Sequence, residues 1–404
     1  MDTSRTGQYA NKSRGSSMGQ AIFKRRSARW HFRQLFALHL FVATFLYHPA
    51  HAEEPPADPA PPTPEQIQQW IKQLGDDDFQ VREFAQKALV ESGNPEFDFT
   101  VSAKESDVVE VRNRAVLIER ALIQSAMQAL RKAGASFTNY QSPRINHLAI
   151  RDVEDLEDSD LSPLTRLRHL ENVYLERLPI SDAALVNLEP LKSLTKVSLR
   201  ETRITDDGLG CLKGKEQLTN LSLDSCAVGD KTAKALQENK ELRVLNFSRT
   251  RLTDKGVAEL ARLPKIERLF VSDTQVTNAG VRELKPLADQ LVLIHLSGTK
   301  IDDEGVRELA TLTALEMVDR NRTRITDDAI PHLKPLSNRR YLRLNCCEGI
   351  TDDGLQHLAK MPSLEWLGLD ATRITPEGVK VLQELPHLKN LDIPYDWSEE
   401  DVAK

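Results

Sequence analysis

The residues most suited to chemistry in this chain are carboxylates that recur at a fixed spacing. They are clearest in Thr202–Leu212, which reads TRITDDGLGCL and contains Asp206 and Asp207; near-copies return every 24 or 25 residues almost to the C-terminus. Repeated Asp and Gly could bind calcium, but an EF-hand needs alternating oxygen ligands over about 12 residues with a distal Glu. Calcium-binding nonapeptides need a period of about nine residues. Neither spacing is present, so we predict that these acids cap helices.

No other residues form a catalytic or metal-binding motif. The four cysteines include no C-x-x-C pair, and Cys226 and Cys347 lie at a repeat position that Thr fills elsewhere, which predicts small buried residues. The ten histidines are scattered, and the sequence lacks the zinc-protease, phosphate-loop, nucleophile-elbow and dinucleotide-binding motifs. We therefore predict a protein with no catalytic residues, no metal and no cofactor.

The elements that position the recurring acids are units of one strand and one helix. The motif belongs to the longer frame L-x-x-V-x-L-x-x-T-x-I-T-D-D-G-L-x-x-L. Its leading position falls at Leu170, Leu194, Leu218, Leu242, Ile266, Leu291, Leu315, Arg339, Leu364 and Leu388. This period resembles that of leucine-rich repeat proteins, in which each unit buries its apolar face only against its neighbours. We predict an α/β solenoid of about ten to eleven repeats, with parallel strands on the concave face, helices on the convex face and a small all-α N-terminal region.

Each position of the frame has a physical role in such a unit. Leu221 and Leu223 represent the strand residues that point inward, and the residues beside them face the concave surface. The Thr that follows the strand can bond turn backbone that burial would otherwise leave unpaired. This Thr recurs at Thr202, Thr250, Thr274, Thr299, Thr323 and Thr372. Thr205 then caps the convex helix, with two acids in its first turn.

Residues 1–52 have the layout of a secretory signal peptide. They carry eight Lys or Arg against one acid, an apolar run over Leu35–Tyr47 and an A-x-A site that predicts cleavage after Ala52. An uncleaved anchor is the alternative, although the run is shorter than the ~20 residues of a membrane span. Initiation at Met18 would leave the same signal. Residues 53–62 hold five prolines and predict an extended linker.

Residues 63–133 predict a helical region. Thr63, Pro64 and Gln66 form a helix start with a capping box, and Asp78 can cap a second helix. A similar pattern of Asp, Val, Arg and Ala begins at Asp78 and again at Asp107. This pattern resembles the inner helix of HEAT-type repeats. The alternative is an ordinary helical cap over the open end of the solenoid. We predict a linker at 134–143, repeats over 145–393 and a C-terminal cap or tail at 394–404.

The concave columns beside each L-x-L pair are the predicted binding surface. Their first half is mostly small and polar, whereas the second half offers aromatic and charged residues typical of protein-recognition hot spots. This candidate protein-binding face consists of Arg268, Phe270, His295, Met317, Asp319, Tyr341, Arg343, Trp366 and Asp370. The alternative is that these are isolated exposed residues that never form one patch.

Two irregular units lie in the same region. Arg320 takes an inward strand position and Arg339 a leading position, both of which favour leucine. Since a buried unpaired guanidinium is unfavourable, we predict local distortion or pairing with acids such as Asp319 or Asp327. The stretch Asn345–Asp353, reading NCCEGITDD, carries one extra residue and is similar to the cysteine-containing repeats of F-box-type substrate receptors.

Taken together, the frame over residues 170–393 resembles exported bacterial leucine-rich repeat proteins. The resemblance implies binding rather than chemistry. We expect a monomeric, non-catalytic protein-interaction scaffold in the periplasm, cell envelope or exterior, with a protein partner and no membrane span after signal cleavage. Alternatives are a structural envelope component without a specific ligand, or a substrate-receptor-like regulator of an enzyme. The excess of acids, with a net charge of −6, argues against nucleic acid as a partner.

Overall fold

A computed structural model describes residues 62–92, 103–138, 146–319, 321–336, 341–394 and 397, with backbone alone for 317–319 and 334–336. The predicted signal peptide, nearly all of the linker, Arg320, Arg339 and most of the C-terminal tail therefore lie outside the described residues. Within the described ranges, no helix is long and apolar enough to cross a membrane.

Among the residues that the structure describes before the repeats, the helices with defined bounds are α1 (Pro64–Gln73), α2 (Phe79–Glu91) and α3 (Val109–Lys132). The capping box forms, because Thr63 Oγ1 accepts the amide of Gln66 at 3.3 Å and Gln66 Oε1 accepts the amide of Thr63 at 2.8 Å. Ala126 and Leu130 in the second half of α3 belong to the same apolar cluster as the first repeat strand. These contacts cover the N-terminal end of the solenoid core.

In the described part of the chain, twelve strands form one sheet in sequence order. They are β1 (Ser136–Thr138), β2 (His147–Arg151), β3 (Asn172–Glu176), β4 (Lys196–Ser198), β5 (Asn220–Ser222), β6 (Val244–Asn246), β7 (Arg268–Phe270), β8 (Leu293–His295), β9 (Met317–Asp319), β10 (Tyr341–Arg343), β11 (Trp366–Gly368) and β12 (Asn390–Asp392). All pairs from β2 onward are parallel. The stretch predicted as a linker contains β1, since Phe137 pairs antiparallel with Leu148 and packs against the core.

The convex side of each described unit carries one or two short helical segments. The α-helices are α4 (Asp182–Leu185), α5 (Asp230–Ala235), α6 (Asp254–Leu260), α7 (Asn278–Glu283), α8 (Asp303–Leu309), α9 (Asp352–Leu358) and α10 (Pro376–Val379). The 3-10 helices are Asp158–Arg166, Val186–Leu188, Gly208–Leu212, Leu236–Glu238, Lys285–Leu287, Asp327–Leu336 and Lys380–Glu384. The α-helix predicted in TRITDDGLGCL is therefore a 3-10 turn; Gly208 and Gly210 lie in it, and glycine disfavours an α-helix.

The repeated Thr after each strand bonds backbone as predicted. Thr202 Oγ1 donates to the carbonyl of Leu199 at 2.7 Å, and Thr250 and Thr274 each donate to the carbonyl three residues before at 2.6 Å. Cys226 and Cys347, which replace this Thr, are 4% and 0% exposed. Each sulfur lies 3.5 Å from the Thr hydroxyl of the preceding unit. The small-residue prediction for both cysteines is confirmed.

The first acid of each motif, predicted to cap its own helix, instead bonds the following unit, and the preceding Thr is the N-cap. Asp254 Oδ1 accepts the amide of Thr277 in the following unit and Asp254 Oδ2 accepts the Thr277 hydroxyl, both at 2.7 Å. We call this pair of bonds the Asp–Thr clamp. It recurs in Asp158–Ser181, Asp182–Thr205, Asp230–Thr253, Asp303–Thr326, Asp327–Thr351 and Asp352–Thr375. The acids thus join neighbouring units, and the next Thr in turn caps its own helix.

The clamp explains the glycine of the motif. A Cβ at Gly354 would lie 2.3 Å from Asp327 Oδ1, and one at Gly280 would lie 2.4 Å from Asp254 Oδ1. Such distances are far below van der Waals contact. The glycine therefore leaves room for the carboxylate of the preceding unit.

A second backbone feature recurs at the residue before the repeated Thr. Within the described ranges, nine non-glycine residues have a φ between 52° and 59°, namely Asp152, Arg177, Glu201, Ser225, Arg249, Asp273, Arg322, Cys346 and Ala371. Left-handed backbone is unfavourable by about 1 kcal/mol or more for residues with a Cβ.

We expect Ala371→Gly to raise the free energy of unfolding by about 0.5 kcal/mol, because the relief of left-handed strain exceeds the added chain entropy of glycine. Urea unfolding measures the change. Ala359→Gly is the matched control: Ala359 has a φ of −58° at the end of α9, so glycine there should lower stability. A loss of stability in both variants would contradict the strain argument.

Candidate functional site: the concave face

The register of β7 to β11 places the predicted face on five adjacent strands. One column runs through Arg268, Leu293, Met317, Tyr341 and Trp366. The next runs through Phe270, His295, Asp319, Arg343 and Gly368. Met317 and Asp319 are placed by their strand positions alone. Since adjacent parallel strands lie about 4.8 Å apart, these columns form one continuous surface.

Ring contacts organise both ends of this surface. The rings of Phe270 and His295 meet edge to face, with centroids 4.7 Å apart. The guanidinium carbon of Arg343 lies 5.0 Å from the centre of the Trp366 ring. A Cβ at Gly368 would come within 2.7 Å of that ring, so the indole lies over Gly368. The absent side chain of Gly368 therefore lets Trp366 lie flat along the sheet.

The remaining predicted residues differ in how they are presented. Tyr341 is 44% exposed, and Arg268 and Arg343 are exposed. Asp370 is half-buried, and within the described part of the chain its Oδ1 is buried without a hydrogen-bond partner. The face thus combines exposed cations and aromatic rings with one buried carboxylate oxygen.

A groove of about 410 Å³ lies on the first half of the concave face, over β3 to β7. It is lined by Tyr174, Glu176, Lys196, Val197, Ser198, Arg200, Asn220, Leu221, Ser222, Asp224, Val244, Asn246 and Phe270. The small polar residues on its floor match the sequence-based description of these columns. Sequence reasoning missed the groove itself, although Tyr174, Glu176, Arg200 and Asp224 are the signal that could have found it.

The two carboxylates of the groove are held by arginines. Glu176 Oε2 lies 2.6 Å from Arg151 Nε, and Asp224 Oδ2 lies 2.6 Å from Arg249 Nη2 and 3.1 Å from Arg200 Nε. Burial raises the pKa of Asp224, while the two arginines act in the opposite direction. Each acid is engaged in an ion pair, which suits binding rather than proton transfer.

Burial shifts the pKa values of Cys211 and Lys215 on the convex side. Burial raises the pKa of Cys211 to about 11, so its thiol is not a thiolate nucleophile at neutral pH. Burial, together with Lys192, lowers the pKa of Lys215 to about 8. Lys215 is 3% exposed, and its ammonium donates to the carbonyls of Leu188, Glu189 and Leu191 at 2.8–2.9 Å. Its role is structural, because it covers the end of the preceding convex turn.

No cluster of three or more His, Cys, Asp or Glu suited to a metal ion occurs among the residues that the structure describes. The four cysteines are free thiols. The predicted roles of Arg320 and Arg339 fall on residues outside the described ranges.

Comparison with known proteins supports the repeat architecture. The sequence profile of a family described as "Leucine Rich repeat" matches residues 238–261, 291–310 and 340–359. Together with the parallel strand and helix units, this match identifies the fold as an α/β leucine-rich repeat solenoid, as predicted. None of the curated proteins compared matches the chain.

Solved structures with a similar shape include two internalins of Listeria monocytogenes. Internalin inlF is 18% identical, with a TM-score of 0.40, and the alignment covers 69% of this chain and 95% of that one. Internalin C2 is 23% identical, with a TM-score of 0.34, and the alignment covers 44% of this chain and 80% of that one. At these TM-scores the similarity says nothing about what the chain binds.

Proposed function

We propose that this protein is a non-catalytic scaffold that binds a protein partner through the concave face of β7 to β11. The observation that supports this proposal is the register, which aligns the predicted positions of five successive units, with aromatic or cationic side chains on β7, β8, β10 and β11. The Phe270–His295 and Arg343–Trp366 contacts favour a joined surface over scattered single residues.

The composition of this face favours a protein partner. Trp, Tyr and Arg are the residues that most often dominate protein–protein binding energy, especially in a cluster near the centre of an interface. Trp366 supplies a half-buried, pre-positioned ring, and Tyr341 supplies an exposed one. Both side chains lose little conformational freedom on binding, because Trp366 already packs between Arg343 and Gly368 and a tyrosine has only two rotatable bonds.

The face and the groove supply no catalytic constellation among the described residues. The groove carboxylates are paired with arginines, and the convex Cys211 and Lys215 are buried and serve packing or backbone bonding. This supports a scaffold over an enzyme, and hydrolase or transferase activity in the purified protein would contradict it.

Export of the protein is a further part of the proposal. It rests on the basic region, apolar run and A-x-A site of residues 1–52. The intact mass of protein recovered from the envelope or medium tests it: a chain beginning at Glu53 is expected. A chain that retains residues 1–52 would support the anchor instead.

The binding proposal predicts that the double variant Tyr341→Ala, Trp366→Ala loses at least tenfold in partner affinity. Truncating an aromatic hot spot typically weakens binding by 2 kcal/mol or more, which is about this factor or larger. The tagged unaltered chain and the tagged double variant are each used to capture partners from envelope extract. Quantitative mass spectrometry compares the yields of captured protein. Thermal unfolding confirms that the variant remains folded.

The matched control is the double variant Phe84→Ala, Val186→Ala. Both side chains are 62% exposed, on α2 and on a convex 3-10 helix. This variant should capture as much partner as the unaltered chain. Equal recovery by all three proteins would exclude the proposed face, and the absence of any specific partner would favour a structural envelope component.

A further inference from the structure

We propose that the groove over β3 to β7 is a second binding site, and that it takes a short, uncharged oligosaccharide strand. It adjoins the protein-binding face at Phe270 but otherwise uses different residues. The proposal stands on the groove alone and does not depend on the protein-binding function.

The charges that line the groove are balanced. Glu176 and Asp224 are matched by Lys196 and Arg200, and both acids are held in ion pairs with arginines. A charged ligand that paired with Glu176, Asp224 or Arg200 would have to displace those pairs and leave one partner uncompensated. The groove therefore fits a ligand without net charge.

The floor of the groove presents hydrogen-bond donors. Asn246 Oδ1 accepts the amide of Ser248 at 2.9 Å, which fixes the side chain so that its Nδ2 amino group is left to donate into the groove. Ser222 is the strand neighbour of Asn246, and Asn220 lies on the same strand as Ser222. Lys196 is exposed at the next strand. Such closely spaced donors match a linear ligand in which every unit carries an acceptor oxygen.

The groove is elongated across the strands. Tyr174 on β3 and Phe270 on β7 lie at its two ends, four strand spacings apart, or about 19 Å. Rings at the ends and small polar groups between them suit a linear chain of sugar rings, whose apolar ring faces contact aromatic rings and whose hydroxyls replace water on the floor.

An extended peptide fits the groove less well. Its side chains would need apolar pockets, since buried apolar and aromatic anchors supply most of the energy at protein interfaces. Among the lining residues, only Val244 and the rings of Phe270 and Tyr174 offer such contacts. The inward Val197 and Leu221 are buried in the core. Hydroxyl groups, in contrast, can use every polar position of the floor.

The test measures binding of neutral linear tetrasaccharides of glucose, N-acetylglucosamine, mannose and galactose to the full chain by titration calorimetry. We expect at least one to bind, and Asn246→Asp to weaken that binding at least tenfold. This substitution keeps the oxygen that accepts the Ser248 amide and replaces the amino donors with a negatively charged acceptor oxygen, so the fold should be retained. Tyr174→Ala should also weaken binding.

Trp366→Ala serves as the control, because Trp366 belongs to the protein-binding face and does not line the groove. It should leave sugar binding unchanged even where it abolishes partner capture, so the two proposals can fail separately. The proposal is overturned if none of the four sugars binds, if Asn246→Asp binds the sugar as tightly as the unaltered chain, or if an extended peptide binds the groove in their place.

Discussion

Replacing Lys215 with methionine is expected to lower the free energy of unfolding by about 3 kcal/mol, because buried carbonyls lose their donors. The ammonium bonds three carbonyls, those of Leu188, Glu189 and Leu191, from a position that is 3% exposed. Methionine has a similar shape but donates no hydrogen bond. Urea unfolding of the two proteins at neutral pH measures the loss.

Two controls separate this effect from a general loss of charge. Asn239 takes the equivalent place one unit later and donates to the carbonyls of Leu212 and Lys215 at 2.8 and 3.3 Å. Lys215→Asn should therefore retain part of the stability that Lys215→Met loses. Lys213→Met, at a side chain that is 57% exposed, should change stability by less than about 0.5 kcal/mol. Equal effects of Lys213→Met and Lys215→Met would contradict the account.

The lowered pKa of Lys215 gives this prediction a pH dependence. The folded value is about 8 and the ordinary value is 10.5. Between these values the unfolded chain binds more protons than the folded one, so the Lys215 contribution to stability rises with pH across this window. Below pH 8 both states are protonated and the contribution is constant. The stability difference between the unaltered chain and Lys215→Met should therefore grow from pH 8 to 10; a flat or falling difference would contradict the lowered pKa.

Gly354→Ala is the second substitution with a large expected effect. The new methyl group would lie 2.3 Å from Asp327 Oδ1, so the carboxylate must leave the Asp–Thr clamp with Thr351. Overpacking and the loss of the clamp bonds together are expected to lower the free energy of unfolding by about 2–3 kcal/mol. Urea unfolding again measures the change.

A double-mutant cycle tests the cause of that loss. In an Asp327→Ala background the obstructing carboxylate is gone, and alanine is preferred to glycine inside α9. Gly354→Ala should then be neutral or stabilising. Gly210→Ala is the matched control, because a Cβ at Gly210 would meet no atom within 4 Å. Additive losses in the cycle would show that the glycine serves another purpose than making room for Asp327.

The period predicted the fold because it is a property of single units. An L-x-L pair and the Thr that follows it have the same roles in every unit. Strand, turn and core positions could therefore be assigned from one alignment of the units. The Asp–Thr clamp was missed because it joins two units: Asp254 and Thr277 are 23 residues apart in sequence and meet only after the units stack. Considered within its own unit, Asp254 resembles an ordinary first-turn acid.

The sequence predicted which strand positions make up the candidate site, but not which side chains contact each other there. Alignment of the columns identified Tyr341, Trp366 and Arg343 without showing that the indole lies over Gly368 and against Arg343. Side-chain direction across strands decides such contacts, and the repeat pattern constrains only the inward residues. For the same reason the groove residues Tyr174 and Asp224 were not distinguished from their small polar neighbours.

Site-directed photo-crosslinking tests the central claim most directly. A benzophenone amino acid replaces Tyr341 on the concave face or, as a control, Val186 on the convex side, and whole cells producing the full chain are irradiated. The account predicts one discrete adduct with a partner protein from position 341 and none from position 186. Adducts of the same mass and yield from both positions, or an adduct from position 186 alone, would contradict binding through the concave face.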